Sequence, residues 1–168
     1  MSNHAEEWFD VVDENDRPIG QKLRSEVHRL KLRHRAVHMF VQRADGALLI
    51  HKRTASKEEF PDVWTSSSCG HVNSGESYAE AAERELMEEL GITTELHRCH
   101  KFDACPETSM EFTELFDCRW DGDVMPDPEE IQAIEWKQLS EIANRVRQLP
   151  DLFSPAFRLL FRWYRRQS

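Results

Sequence analysis

Gly70-His-Val-Asn-Ser-Gly-Glu76-Ser77-Tyr-Ala-Glu80-Ala-Ala82-Glu-Arg84-Glu85-Leu86-Met-Glu88-Glu89-Leu90-Gly91-Ile92 is the stretch on which the reading of this chain turns. Ser77 with Glu80 three residues later is a capping-box pattern, which predicts a helix beginning near Tyr78. Gly91 supplies its C-terminal stop. Ala82, Leu86 and Leu90 recur every four residues and form an apolar stripe, whereas Glu85, Glu88 and Glu89 fall at i, i+3 and i+4 on another side. Three carboxylates that close are unfavourable on a helix unless something positive sits among them. A hard divalent cation suits, because Mg²⁺ takes oxygen ligands, keeps several waters and bridges carboxylates to substrate phosphates. A bound diphosphate makes the same demand from the other side. Its charge must be neutralised before a nucleophile approaches, and a metal also acidifies the attacking water.

An arbitrary E-x-x-E-E is usually a solvated helix face. The register with Gly70, Glu76 and Arg84 argues otherwise: the spacing G-x5-E-x7-R-E-U-x-E-E-x-G-U, with U a bulky apolar residue, is that of the Nudix box. A chance match at a given starting position is on the order of one in a billion at ordinary residue frequencies. The chain therefore resembles the Nudix family, whose members mostly cleave a diphosphate linked to another group. That resemblance implies an α+β fold, a mixed β-sheet sandwiched between helices, and an enzyme acting on diphosphate bonds with Mg²⁺ or Mn²⁺. It makes Glu85, Glu88 and Glu89 the metal ligands, joined by the Gly70 carbonyl and Glu114. Arg84 would hold the glutamates in place with Glu76 as its partner, and Glu85 or Glu88 would be the general base.

The 168 residues are expected to form one domain, 1–168, with a sizeable core. No apolar run approaches a membrane span and the N-terminus, Met-Ser-Asn-His-Ala-Glu-Glu, does not read as a signal peptide, so a cytoplasmic protein is expected. Cys69, Cys99, Cys105 and Cys118 form no C-x-x-C pair, which fits reduced thiols better than a zinc ribbon or disulfide framework. A net charge of −9 argues against polymeric nucleic acid but not against a small phosphorylated substrate carried in with Mg²⁺. Arg158, Arg162, Arg165 and Arg166 read as the solvated face of a final helix. A homodimer is left open.

Trp8 to Val12 and Ile19 to Leu23 read as short strands around the turn Asp13-Glu-Asn-Asp-Arg-Pro18. Ala36 to Gln42 and Ala47 to Lys52 flank Asp45-Gly46, a hairpin signal. Val63 to His71 leads into the box as a strand, and Thr93 to Phe102, Glu111 to Trp120 and Ile131 to Trp136 are further strands. Leu139 to Arg147 is helical, and Ser154-Pro155 opens a last helix with Phe157, Leu160, Phe161 and Tyr164 on one face.

Outside the box, from about Asp10 to Phe157, the chain is similar to the isopentenyl diphosphate isomerase branch and its hydrolase relatives. The similarity is carried by Asp13-Glu-Asn, Glu26-Val-His28, His34-Arg-Ala-Val-His38, Arg53-Thr-Ala-Ser-Lys57, Trp64-Thr-Ser-Ser-Ser-Cys69-Gly-His71 and Phe153-Ser-Pro155. It implies that Arg24, Arg53 and Lys57 clamp the diphosphate, as cations on separate segments can. Cys69 matches the catalytic cysteine of the isomerase. His28, His34 and His71, with Glu114, match a second metal site, and Phe112 aligns where a further glutamate of that site belongs. Phe102 stands where the isomerase has an active-site tyrosine, and Asp151 where it has the tryptophan facing a cationic intermediate, which removes a cation–π partner.

The hydrolase pattern is thus complete and the isomerase pattern incomplete. The expected function is a metal-dependent pyrophosphohydrolase acting on a nucleoside diphosphate-type or other small organic diphosphate. Isomerisation of isopentenyl diphosphate, with Cys69 and Glu114 moving protons, is the alternative, and a non-catalytic ligand-sensing module a lesser one. Loops such as Cys105 to Met110 would choose the organic half of the substrate.

Overall fold

The computed structural model describes residues 6–168, so Met1 to Ala5 of the N-terminal stretch lie outside the described residues. Strands β1 (Trp8–Val12) and β2 (Pro18–Leu23) form an antiparallel hairpin, followed by the short helix α1 (Arg24–Arg29). Next come β3 (His34–Gln42), β4 (Leu48–Arg53), β5 (Trp64–Thr65) and β6 (Ser68–His71), then the long helix α2 (Tyr78–Leu90). The chain continues through β7 (His97–Phe102), β8 (Glu111–Arg119), β9 (Ile131–Lys137), α3 (Leu139–Gln148) and α4 (Pro155–Tyr164).

Seven strands make one mixed sheet in the order β5-β4-β3-β8-β7, with β6 also on β3 and β9 also on β4. β3 and β8 run parallel in unbroken register from His34↔Glu111 to Gln42↔Arg119. β3 and β4, by contrast, meet only at Gln42↔Leu48, beyond the Asp45-Gly46 turn, where Gly46 takes φ +87°. Past that point the two strands diverge. β6 takes the free edge of β3 while β5 and β9 pair with β4, and a crevice is left between the two groups.

Each face of the sheet is closed by helices, as the mixed sheet between helices requires. Val37, Met39 and Val41 of β3 pack with Leu49 against Ala82, Leu86 and Leu90 of α2. The opposite face, with Phe40, Leu48 and Ile50, packs against Ile142 of α3 and Phe157, Leu160 and Phe161 of α4. Alternation along one strand therefore feeds both layers. The predicted stripe on α2 is the buried one: Ala82 and Leu90 are fully buried and Leu86 nearly so, the leucine alone stabilising by about 1.5–3 kcal/mol.

Both arms of the capping box form. The Ser77 hydroxyl accepts the Glu80 N–H at 3.2 Å, and the Glu80 carboxylate accepts the Ser77 N–H at 2.8 Å. At the other end Gly91 adopts the left-handed conformation, φ +66°, which a residue with a Cβ rarely takes. Three details differ from the sequence reading. Helix α1 was not expected: it is one and a half turns with no side-chain cap, too short for a periodic signal. The lead from Val63 to His71 breaks in two, because Ser66 and Ser67 cross the crevice, with the Ser67 hydroxyl donating to the Leu49 carbonyl at 2.5 Å and accepting the Val41 N–H at 2.8 Å. Strand β7 begins at His97, four residues later than expected. Among the described residues no helix is long and apolar enough to cross a membrane.

Because the box helix depends on this cap, Ser77→Ala should lower the stability of the protein by about 1 kcal/mol. Urea unfolding followed by circular dichroism would measure it, and an unchanged midpoint would remove the cap from the account of α2.

Candidate metal and diphosphate site

Helix α2 turns its acidic side to the mouth of the crevice, where it meets β6. Gly70 sits against the Glu85 carboxyl so closely that a Cβ at position 70 would collide with it. This is the physical reason for a glycine there: β6 and the helix share one space, and the Ser68 hydroxyl donates to the Glu85 carbonyl at 3.3 Å to hold them together. Glu89 is buried, Glu85 is half-buried and Glu88 is exposed. Burial, then the charge of neighbouring Glu85, raises the Glu89 carboxyl well above the usual carboxylate range. Burial raises Glu85 too, with Arg84 opposing.

Arg84 is the cation inside this cluster. Its guanidinium donates to both oxygens of Glu76 at 2.7 and 2.9 Å, to Glu85 at 2.8 Å and to the His71 carbonyl at 3.0 Å, with Glu88 at 3.4 Å. A paired fork of this kind fixes orientation as well as charge. Arg84 ties the loop before α2 to the helix, while Glu89 receives nothing from it. The crowded Glu85 and Glu89 oxygens, the glycine that admits them and the exposed Glu88 make an oxygen-donor set of the kind a hard divalent cation takes.

The three cations expected to clamp a diphosphate line the same cavity as Glu85, Glu88 and Glu89. Each is already engaged: Arg24 with Glu7 at 3.1 Å, Lys57 with Glu130, and Arg53 with the carbonyls of Glu59 and Phe60 at 3.0 to 3.2 Å. Arg53 thereby fastens the loop from Thr54 to Val63, in which Phe60 and Asp62 take positive φ, over the cavity. Thr108 and Ser109, from the loop expected to read the organic group, also line it.

A second cluster lies beside the first. His28 on α1, His34 on β3, His71 on β6 and Glu111 on β8 offer one ligand atom each, all within 4.8 Å of one another. The Nε2 atoms of His28 and His71 are 3.3 Å apart, and His71 Nε2 is 2.9 Å from the Glu111 carboxylate. Burial disfavours a charged His34, but Glu111 outweighs it and raises the ring above its usual range. With Nδ1 donating to the Leu32 carbonyl at 2.8 Å, the ring turns its Nε2 to Glu111. That atom is buried, 3.3 Å from Glu111 and without a hydrogen bond. Fully buried Phe9 stacks on His34 and His71 and is backed by Val11 and Val27. Burial disfavours a charged Glu111, but the imidazoles of His71 and His34 outweigh it and hold the carboxyl far below its usual range. Burial, reinforced by His71 and His34, lowers His28 to about 3. Three imidazole nitrogens and one carboxylate suit a transition ion better than Mg²⁺.

The histidines expected to share a site are together, but Glu114 is not with them. β8 pairs with β3 so that His34, Ala36 and His38 lie opposite Glu111, Thr113 and Leu115, whereas Glu114 lies opposite Val37. Side chains alternate across a strand, so Glu111 takes the place assigned to Glu114. Glu114 is instead buried on the α2 side, paired with Arg98 at 2.8 Å, and Phe112 lies on that same face. The site-facing position two residues after Glu111 is Thr113. Phe102 packs in the core beside Trp163, and Asp151 is exposed; neither lines the cavity. Cys69 does line it, but burial and then Glu89 push its thiol up to about 12, so it stays protonated.

Comparison with known proteins identifies the family. The NUDIX domain family model matches residues 32–162. A protein of Yersinia pestis named as an uncharacterized Nudix hydrolase is 35% identical over 164 residues, covering 96% of this chain and 88% of its own. An isopentenyl-diphosphate Delta-isomerase of Serratia proteamaculans is 32% identical over 157 residues, covering 90% of this chain and 88% of its own. A crystal structure from Deinococcus radiodurans superposes with a TM-score of 0.84 at 29% identity, over 93% of this chain and 98% of that one. With the family model matched through the sheet, the box helix and most of α4, the chain belongs to the Nudix family.

Proposed function

We propose that this chain is a Mg²⁺- or Mn²⁺-dependent pyrophosphohydrolase of small organic diphosphates. The observation that carries the reading is the close approach of Glu85 to Gly70, with buried Glu89 beside Glu85, in a cavity that Arg24, Arg53 and Lys57 also line. Acids that repel one another and bases that can clamp phosphate are gathered around one space. A divalent ion bound there would neutralise the diphosphate and acidify water.

The chain's own residues then have separate duties. Glu85 and Glu89 would hold the ion through carboxylate oxygens, with the Gly70 backbone beside Glu85. Arg84 and Glu76 keep Glu85 in place. Arg24, Arg53 and Lys57 orient the phosphates, exchanging their present partners for phosphate oxygens. The attacking water gives its proton to a carboxylate as its oxygen bonds to one phosphorus. The bridging P–O bond breaks, and its electron pair leaves with the departing phosphate. Of the two candidate bases, Glu88 has the freer carboxylate, since Arg84 holds Glu85 at 2.8 Å but approaches Glu88 only to 3.4 Å. The three histidines and Glu111 would hold a second ion such as Mn²⁺ or Zn²⁺, close enough to border the same cavity through His71 and Glu111.

Isomerisation of isopentenyl diphosphate is the weaker reading. The position that would hold a carboxylate beside Glu111 is Thr113, and Phe60 is the sole phenylalanine, tyrosine or tryptophan among the described residues lining the cavity.

Glu88→Gln should reduce phosphate release from a panel of organic diphosphates several hundredfold while leaving the melting curve unchanged, because an exposed side chain is altered without opening a cavity. Activity within about threefold of the parent would remove Glu88 from the mechanism. Metal content gives an independent measure. Equilibrium dialysis against Mn²⁺ should find fewer ions per chain in His71→Ala than in the parent or Glu88→Gln; an unchanged number in His71→Ala would refute the imidazole site. The two enzyme readings separate at Cys69. Cys69→Ala should leave hydrolysis within roughly an order of magnitude, whereas isopentenyl diphosphate isomerisation by the parent, abolished in this variant, would decide for the other reading.

A further inference from the structure

The crevice between the diverging strands has a polar floor that neither the metal clusters nor the phosphate clamp uses. His38 on β3 faces Cys69 across the β3–β6 pairing, and His51 on β4 faces Thr65 across the β4–β5 pairing. Both rings line the cavity, at 5% and 2% exposure. Their inner nitrogens are anchored behind the floor. His38 Nδ1 lies 2.7 Å from the hydroxyl of fully buried Ser66, and His51 Nδ1 lies 3.0 Å from the carbonyl of fully buried Ser67.

A carbonyl only accepts, so His51 Nδ1 carries the proton and Nε2 keeps a lone pair. The Ser66 hydroxyl can donate or accept, so His38 Nε2 can be acceptor or donor as its ligand requires. Among the described residues neither Nε2 has a hydrogen-bond partner. Thr65 and Ser154, the hydroxyls beside them, are occupied with one another at 3.0 Å, and Ser154 also caps α4 through the Phe157 N–H at 3.2 Å.

Position links this floor to the reaction. His51 is two residues from Arg53 on the same face of β4, one step deeper than the expected phosphate clamp, and the strand partner of His38 is the residue before Gly70. Ile50 and Phe40 next to them pack in the core, so a hydrophobic residue would fill either position more simply. Imidazoles here cost desolvation unless a ligand pairs with them.

We propose that His38 and His51 are specificity-determining residues. They accept hydrogen bonds from hydroxyl or amino groups on the organic half of the substrate, and so select sugar- or base-bearing diphosphates over prenyl diphosphates. This rests on the diphosphate reading above for the position of the phosphates. A hydrocarbon chain in the crevice would leave both nitrogens unpaired, and sites built to hydrogen-bond a polar group reject analogues lacking it.

The test compares a nucleoside diphosphate, a nucleotide sugar and isopentenyl diphosphate on the parent, His51→Leu, His51→Gln and His38→Leu. It measures kcat/KM with Mg²⁺, and equilibrium binding with Ca²⁺ in its place. The parent should prefer the polar diphosphates. His51→Leu should weaken them about tenfold to a hundredfold with little loss for isopentenyl diphosphate. His51→Gln, which restores a hydrogen-bonding group, should recover part of the preference even if a leucine variant folds poorly. Equal losses for all three ligands, or a parent that binds isopentenyl diphosphate as tightly as the others, overturns the assignment. Should no diphosphate be hydrolysed, the hydrolase reading fails, and the Ca²⁺ binding comparison still decides the role of His51.

Discussion

Much of this molecule depends on a close approach between a strand and a helix. Glu85 is brought up against the backbone of β6 at Gly70 with Glu89 beside it; burial raises both carboxyls, and the charge of Glu85 raises Glu89 further. Such an arrangement is costly in isolation, since buried like charges have neither water nor a counter-ion. Two things in the fold hold it. Leu86 and Leu90 bury the other side of α2 against the sheet, and Arg84 fastens the loop, the strand carbonyl and Glu85 together. The stability of the core thus maintains an electrostatically unfavourable site, a common relation between scaffold and active centre.

The second constraint is the failure of β3 and β4 to pair beyond Gln42↔Leu48. A continuous sheet would have no space in it. Divergence opens a crevice whose walls come from β3, β4, β5 and β6 and whose mouth is bordered by α2 and the loop from Thr54 to Val63. Ser66 and Ser67 bridge the split without closing it, because their hydroxyls and carbonyls satisfy groups on both sides. The carboxylates, cations and histidines face one cavity as a result of this geometry, although they are spread from Glu7 to Glu130.

Glu111 and Glu114 show how finely the outcome depends on register. Both are buried acids on one strand, three residues apart, and therefore on opposite faces. Glu111 meets three imidazoles and Glu114 meets Arg98. Which of the two joins the imidazoles depends on which face of β8 turns to the site, and sequence spacing offered no way to tell. The parallel pairing of β8 with β3 decides it, by putting Glu111 opposite His34.

By itself the sequence determined the elements that carry strong local signals. The capping box, the apolar stripe and Gly91 define α2 because helix ends and periodicity are local properties. The acidic triplet in register with Gly70 and Arg84 identified the family. The Ser154-Pro155 start of α4 was equally legible. Tertiary structure alone decided what requires distant segments to meet. It set the burial of Glu89 against the exposure of Glu88, gave Glu111 the place expected of Glu114, and occupied Arg24, Arg53 and Lys57 with protein partners. It also set the inward aim of His38 and His51. The reason is that a side chain's chemistry depends on its neighbours, and in this fold those neighbours come from strands whose pairing and divergence no local pattern encodes.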